Sequence, residues 1–429
     1  MLYYYAEKIL FISFLSALCA CNNDDNAFKT VNYPDGTEAT DPKIINDING
    51  VKVYNGGYGS ALVRDPQDHS VFYMLTDRGP NIDGTVKDSK IFSNPDFTPQ
   101  IGKFQLKDGK LVQIGTILLK NAAGKNLTGL PNPIGAGGTG ETAYDTKGNI
   151  LNTDVDGLDS EGMAIAPDGT FWISDEYGPH LIHFDKNGNT IEKINPFNTA
   201  RKIPKVFAKR RPNRGMEGLC ITPDGKTLVG IMQFPLYNPT SADMKGSLII
   251  RIITFDIASG KTQQFVYLME NKDLQAVSEI AAVDNTTFLV LERDGEYATA
   301  ANRSSVFKRV YKIELDGATD VSDPDNGEKG KLYNGLALEQ LIDSKGLQQN
   351  NIIPVKKTLV LDLMADLNDL YPHDKAEGLF VIDNNTIAIS NDDDFGVTGS
   401  GKYQQKILPF NNTVDKNTIR FIKLKKPLK

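Results

Sequence analysis

Four stretches of the chain place a glutamate at the head of an apolar run. They are EGMAIAPDGTFWISDE from Glu161, EGLCITPDGKTLVGIMQ from Glu217, SEIAAVDNTTFLVLERDG around Glu279 and EGLFVIDNNTIAISNDDD from Glu377. If the four glutamates converge, they cannot all stay ionised in a partly desolvated site without compensation. A hard divalent cation supplies it, and Ca²⁺ takes six to eight oxygen ligands. Glu161, Glu217, Glu279 and Glu377, with Asp392, are therefore candidate metal ligands. A structural role stays open beside this one. Each glutamate can accept backbone N–H groups, or pair with an arginine of the next repeat, and so lock the repeats together.

A second set of acids closes the second apolar run of the repeats: Asp77, Asp175, Glu176, Glu292, Asp294 and Asp392 to Asp394. Such carboxylates form turns, but three adjacent acids in NDDDFG repel one another unless solvated or bound to a cation. Asp175 and Glu176 with Glu161 make a candidate catalytic group. His180, four residues beyond Glu176, adds an acid or base that titrates near neutrality. Arginines accompany the acids: Arg78 in TDRGP, Arg214 in NRGMEG and Arg293 in LERDG. Guanidinium groups bind phosphate or carboxylate in bidentate fashion, so these three are candidate substrate ligands, unless each pairs with a neighbouring acid. The run KRRPNR can steer an anion or lie as a solvated loop. No GxSxG elbow, HExxH, paired-cysteine zinc spacing or phosphate-cradling glycine loop is present, which argues against serine α/β-hydrolase, zinc-protease and nucleotide chemistry.

The elements that must position these groups are strands. Each repeat has an apolar run, a turn of Asp, Asn, Gly or Pro type, and a second apolar run, which reads as a β-hairpin. A fifth, looser copy is GSALVRDPQDHSVFYMLTDRGP from Gly59. Further strands follow, as in LIHFDKNGNTIEKI and LIIRIITFDIASGKTQQFVYL, rich in β-branched and aromatic residues and broken by Gly turns. Four-stranded units repeated along a chain predict an all-β fold, a β-propeller of about six blades. Five hairpin starts are clear. Residues 44–58, a strand over 351–364 and the C-terminal NTIRFIKLKKP are the expected source of a sixth, with closure by pairing of the two chain ends. In this fold the first strand of each blade lines the channel, so the glutamates ring one mouth. Residues 121–158 read as a long loop and 331–350 as a short amphipathic helix.

With 429 residues, 38 glycines and 21 prolines, the chain fits one large turn-rich β domain. A net charge of −7 argues against nucleic-acid binding. Of three cysteines, only Cys220 lies beyond residue 21, so no disulfide forms within the domain. The apolar run ILFISFLSALCA is too short to span a bilayer and suits a signal-peptide core. With LCAC and NNDDN after it, the segment resembles a bacterial lipoprotein signal over residues 1–20, with Cys21 the lipidated residue. That resemblance implies a location in the bacterial cell envelope, periplasmic or on the outer-membrane surface, with membrane contact through the lipid alone. Residues 21–43 are the expected tether and 44–429 the propeller domain.

Taken in order, TDRGP, DSEGMAIAPDGTFWISDEYGP, NRGMEGL, SEIAAVDNTTFLVLERDGEY and KAEGLFVIDNNTIAISNDDDFG resemble the phytase-like family, described as having esterase-like activity of phytase. The resemblance runs from about residue 55 to residue 425. It implies a β-propeller in an exported bacterial protein that hydrolyses phosphate or carboxylic esters, with Ca²⁺ as cofactor; a small anionic substrate is the expected partner and a monomer the expected state. Two other functions are kept open: a lactonase-like hydrolase, and a non-catalytic propeller that binds a ligand or partner at the cell surface.

Overall fold

A computed structural model describes residues 31–39, 42–197, 200–271 and 275–429. The expected signal segment and Cys21 lie outside these residues. Among the described residues, no helix is long and apolar enough to cross a membrane.

Five antiparallel four-stranded sheets account for most of the strands. The first blade is built from Ala61–Arg64, Val71–Leu75, Gln100–Lys107 and Lys110–Leu118. The second uses Ser160–Ile165, Phe171–Asp175, Leu181–Phe184 and Thr190–Ile194. Met216–Ile221, Thr227–Met232, Ile249–Asp256 and Thr262–Leu268 form the third. The fourth comprises Ala276–Ala282, Thr287–Arg293, Lys308–Glu314 and Lys356–Asp362. Ala376–Asp383, Thr386–Asn391, Thr418–Lys423 and the N-terminal Thr37–Glu38 make the fifth. The first strands of the five adjoin one another in order and close a ring. The fold is a β-propeller, as expected.

The sixth blade does not form among the described residues. Lys356–Asp362 is the outermost strand of the fourth blade and Thr418–Lys423 the third strand of the fifth. Ile44–Ile48 and Val51–Tyr54 pair only with each other. The expectation failed because strands that complete existing blades were counted as a further one. Closure by the two chain ends is present: Thr37 pairs with Ile419 and Glu38 with Thr418. The propeller therefore takes in part of the stretch expected as a tether. Tyr33 packs there too, its ring 4.8 Å from that of Phe421.

Apolar side chains seal each seam between blades. Ala61, Leu75, Met163 and Ile173 join the first and second, and Leu62, Phe72, Ile419 and Phe421 join the fifth to the first. Burying such side chains stabilises by about 1.5–3 kcal/mol each. Short sheets rise over one mouth, among them Asn81–Asp83 with Ser89–Phe92 and Thr142–Asp145, and Val397–Gly399 with Tyr403–Gln405. The expected helix near 331–350 is a 3-10 turn, Leu338–Leu341, and a short α-helix, Ser344–Gln349.

Candidate functional site

The glutamate repeat has a backbone cause. In the second, third and fifth blades, the stretch holding the glutamate carries one more residue than its partner strand. Ser160 faces Asp175 and Met163 faces Ile173; Met216 faces Met232 and Gly218 faces Ile231; Ala376 faces Asn391 and Leu379 faces Ile389. Such a bulge re-aims a side chain. Here it turns Glu161, Glu217 and Glu377 into one mouth of the channel. The glycine that follows lets neighbouring innermost strands approach. A Cβ on Gly162 would lie 2.5 Å from the Leu219 nitrogen.

The fourth blade departs from this. Val277 faces Glu292 and Ile280 faces Val290, so Ser278 stands at the glutamate position and Glu279 at the glycine position. Glu279 does not line the acidic mouth but a separate cavity of about 440 Å³ with Met163, Leu219 and Ile280. Its Oε1 accepts from the backbone N–H groups of Leu219 and Ile280, both at 2.9 Å. The metal-ligand expectation for Glu279 is thus corrected. A one-residue offset moves a strand side chain to another face, and the structural alternative describes it.

The same register aligns the ends of the second strands. Asp77, Glu176, Gln233, Arg293 and Asp392 occupy one position in the five blades, and all line the mouth. The result is a cavity of about 570 Å³. Nine acidic and six basic side chains line it, so it carries a negative excess.

Ion pairs lock much of this charge. Arg78, 4% exposed, pairs with Asp159, with Glu141 at 2.7 Å and with Glu176 at 3.7 Å, and packs on the Tyr177 ring. Arg293 donates to Ser278 Oγ at 3.0 Å and to Glu377 Oε1 at 2.6 Å. Lys375 bonds Asp392 at 2.9 Å and Asp394 at 2.6 Å. Buried Lys406 bonds Asp394 at 2.7 Å and Asp374 at 2.9 Å. Two of the three adjacent aspartates, Asp392 and Asp394, are therefore compensated by lysines. Asp393 is turned away and accepts from the Gly57 N–H at 2.6 Å. Arg78 and Arg293 are bound to acids, as the alternative reading had it, and Asp392 is held by a lysine.

A carboxylate cluster stands at the second blade, beside Glu217 of the third. Carboxylate oxygens of Asp159, Glu161 and Glu176 lie within 4.8 Å of one another. Glu161 is 9% exposed, and no protein group donates to its carboxylate among the described residues. Its pKa is pushed well above the usual range by burial and by Glu217, Asp159, Glu176 and Glu377. Burial and Asp159 also raise Glu176, against the pull of Arg214 and Arg78. Glu217 is raised well above its ordinary value by burial, then by Glu176 and Glu377. Gln233 donates to its Oε1 at 2.5 Å, while its Oε2 is buried without a partner. Burial and Asp159 push Asp77 up to about 8.

Asp175 and His180 sit behind this wall, both fully buried, and neither lines the cavity. His180 Nδ1 lies 2.9 Å from Asp175 Oδ2. Asp175 also accepts from the His180 N–H at 2.7 Å and the Gly178 N–H at 3.1 Å. Burial lowers the His180 pKa despite its aspartate. The pair holds the turn that carries Glu176.

Sequence reasoning passed over Asp159 as a ligand. Arg211 entered only within the run KRRPNR, and it lines the mouth beside Arg214.

Three carboxylates close together, one without any protein donor, fit a hard cation with oxygen ligands. This donor set can hold a metal ion.

An uncharacterized secreted protein of Arthroderma benhamiae is 27% identical over 315 residues, which is 64% of this chain. The chain spans 57% of that relative's length. The PQQ-bound aldose sugar dehydrogenase of Streptomyces coelicolor aligns at TM-score 0.37 and 10% identity, covering 92% of this chain and all of that one. Virginiamycin B lyase from Staphylococcus aureus aligns at TM-score 0.31 and 12% identity, covering 80% and 78% of the two chains. Residues 54–395 match the Phytase-like family, described as "Esterase-like activity of phytase", and the chain belongs to that family.

Proposed function

We propose that this protein is an exported hydrolase of phosphate or carboxylic esters. The reaction takes place in the acidic mouth of the propeller, with Ca²⁺ held by Asp159, Glu161 and Glu176. The observation that carries this reading is the Glu161 carboxylate, nearly buried, facing the cavity and without a protein donor. Keeping such a group ionised without a counter-charge is unfavourable, which is why its pKa is raised, and a cation stabilises the charged form. When bound, the cation supplies Lewis-acid polarisation of a phosphoryl or acyl oxygen.

The chain's own groups do the rest. Arg78 fixes Asp159 and Glu176 from behind. Burial, then Glu176 and Glu377, raise the Glu217 pKa well above its ordinary value, which favours the protonated carboxyl. Gln233 orients it through Oε1, leaving Oε2 to deliver that proton to a leaving oxygen. Membership of a family described by esterase-like activity supports the reaction class. The secreted relative supports export, and lipidation of Cys21 in a bacterial envelope completes the proposal.

The test is hydrolysis of p-nitrophenyl phosphate and p-nitrophenyl acetate before and after chelation. Turnover of either ester that falls with EDTA and returns with Ca²⁺ is expected. Chelator-insensitive turnover would remove the cation, and no turnover of any ester would leave a surface ligand-binding propeller.

A further inference from the structure

Two cations at the acidic mouth differ from all the others. Arg78, Arg293 and Lys375 each pair with carboxylates. Arg211 and Arg214 also line the cavity, yet among the described residues no carboxylate lies within the 4.0 Å of an ion pair from either. Both guanidinium groups pack on one ring, that of Phe234, at 4.9 Å and 5.7 Å. Two like charges sharing a ring repel unless an anion bridges them.

Their position is built in. The Arg214 N–H donates to the Arg211 carbonyl at 3.1 Å, and Asn213 between them has a φ of 51°. Arg210, 4% exposed, ties the turn to the Gly137 carbonyl. On the other side, Gly215 packs so closely on Glu176 that a Cβ would lie 2.4 Å from the Glu176 Cα. Arg214 is thereby set beside the Asp159, Glu161 and Glu176 cluster, and its charge lowers the pKa of Glu176.

We infer that Arg211 and Arg214, stacked on Phe234, bind the phosphate dianion of a phosphomonoester at this rim. The inference rests on the reading that the acidic mouth is the reaction site. Guanidinium forks match phosphate oxygens in pairs, and stacking on an aromatic face holds them in plane. A lactone or a neutral carboxylic ester carries no anion to occupy two such forks. Phosphate takes both, while its remaining oxygens face the carboxylate cluster where Ca²⁺ belongs. The pair thus selects phosphomonoesters over neutral esters.

Binding of inorganic phosphate to the purified full chain, by calorimetry in EDTA and again in Ca²⁺, tests this. Wild type is expected to bind phosphate at least tenfold more tightly than acetate. The double variant Arg211→Ala, Arg214→Ala should weaken phosphate at least twentyfold without weakening Ca²⁺. Arg211→Lys, Arg214→Lys keeps the charge and the fold and should fall between. Unchanged phosphate affinity in both double variants, or no phosphate binding by wild type in either buffer, would overturn the pair. Equal binding of acetate would overturn the phosphomonoester class. Phosphate binding in EDTA by a wild type that takes up no Ca²⁺ would sustain the pair and remove the cation from the proposed function.

Discussion

Arg293 Nη2 lies 2.6 Å from Glu377 Oε1, joining the end of a second strand in the fourth blade to the first strand of the fifth. The side chains are 11% and 5% exposed, so water screens the pair poorly. Removing one partner strands the other. Arg293→Ala should destabilise the fold by about 3–5 kcal/mol, read from urea unfolding. Arg293→Met with Glu377→Leu should lose less, because no charge is left alone. Equal losses in the single and double variants would show that packing, not charge, accounts for the effect.

Glu161 is the opposite case. Glu161→Gln removes repulsion among Asp159, Glu176 and Glu217 without breaking any hydrogen bond of the protein. Calorimetry should show Ca²⁺ affinity reduced at least tenfold, with the melting temperature of the metal-free protein unchanged or raised. Glu279→Gln, outside the acidic mouth, should leave Ca²⁺ affinity as it is. A Ca²⁺ affinity indifferent to Glu161→Gln would refute the assigned ligand set.

Metal-free stability should depend on pH in a defined direction. Asp77 is raised from 3.8 to about 8 by burial and Asp159, and Asp393 to about 7 by burial. Both bind protons more tightly folded than unfolded. Their contribution is full below the ordinary carboxylate range and is lost as pH rises towards 7 and 8. In EDTA, the melting temperature should fall from pH 5 to pH 8, and Asp77→Asn should flatten that slope. Calcium should restore stability most at the alkaline end.

Glu217→Gln keeps the shape of the side chain but has no proton to give. Turnover should fall roughly 10²–10⁴-fold, the usual contribution of a general acid. In wild type, activity should drop as pH rises through the Glu217 pKa, and the variant should lack that limb. A variant that keeps the limb would assign it to another group.

The repeat itself was legible because every copy obeys the same two-run pattern, and the propeller follows from it. The blade count was not, since Lys356–Asp362 reads alike whether it completes a blade or starts one. Three of four glutamates converge as expected. The fourth fails on register, because SEI aligns by letter with SEG while the backbone sets Ser278 against Glu161. The acids of NDDDFG resisted interpretation for another reason. Their counter-ions, Lys375 and Lys406, come from 17 and 12 residues away in sequence.

Pairing of Thr37 and Glu38 on the rim of the fifth blade has a mechanical meaning. Tension entering the chain ahead of residue 31 loads the outermost strand first. Two residue pairs and the Tyr33 ring against Phe421 bear that load before any innermost strand does. Glu161, Glu217 and Glu377 sit on innermost strands, apart from that rim contact.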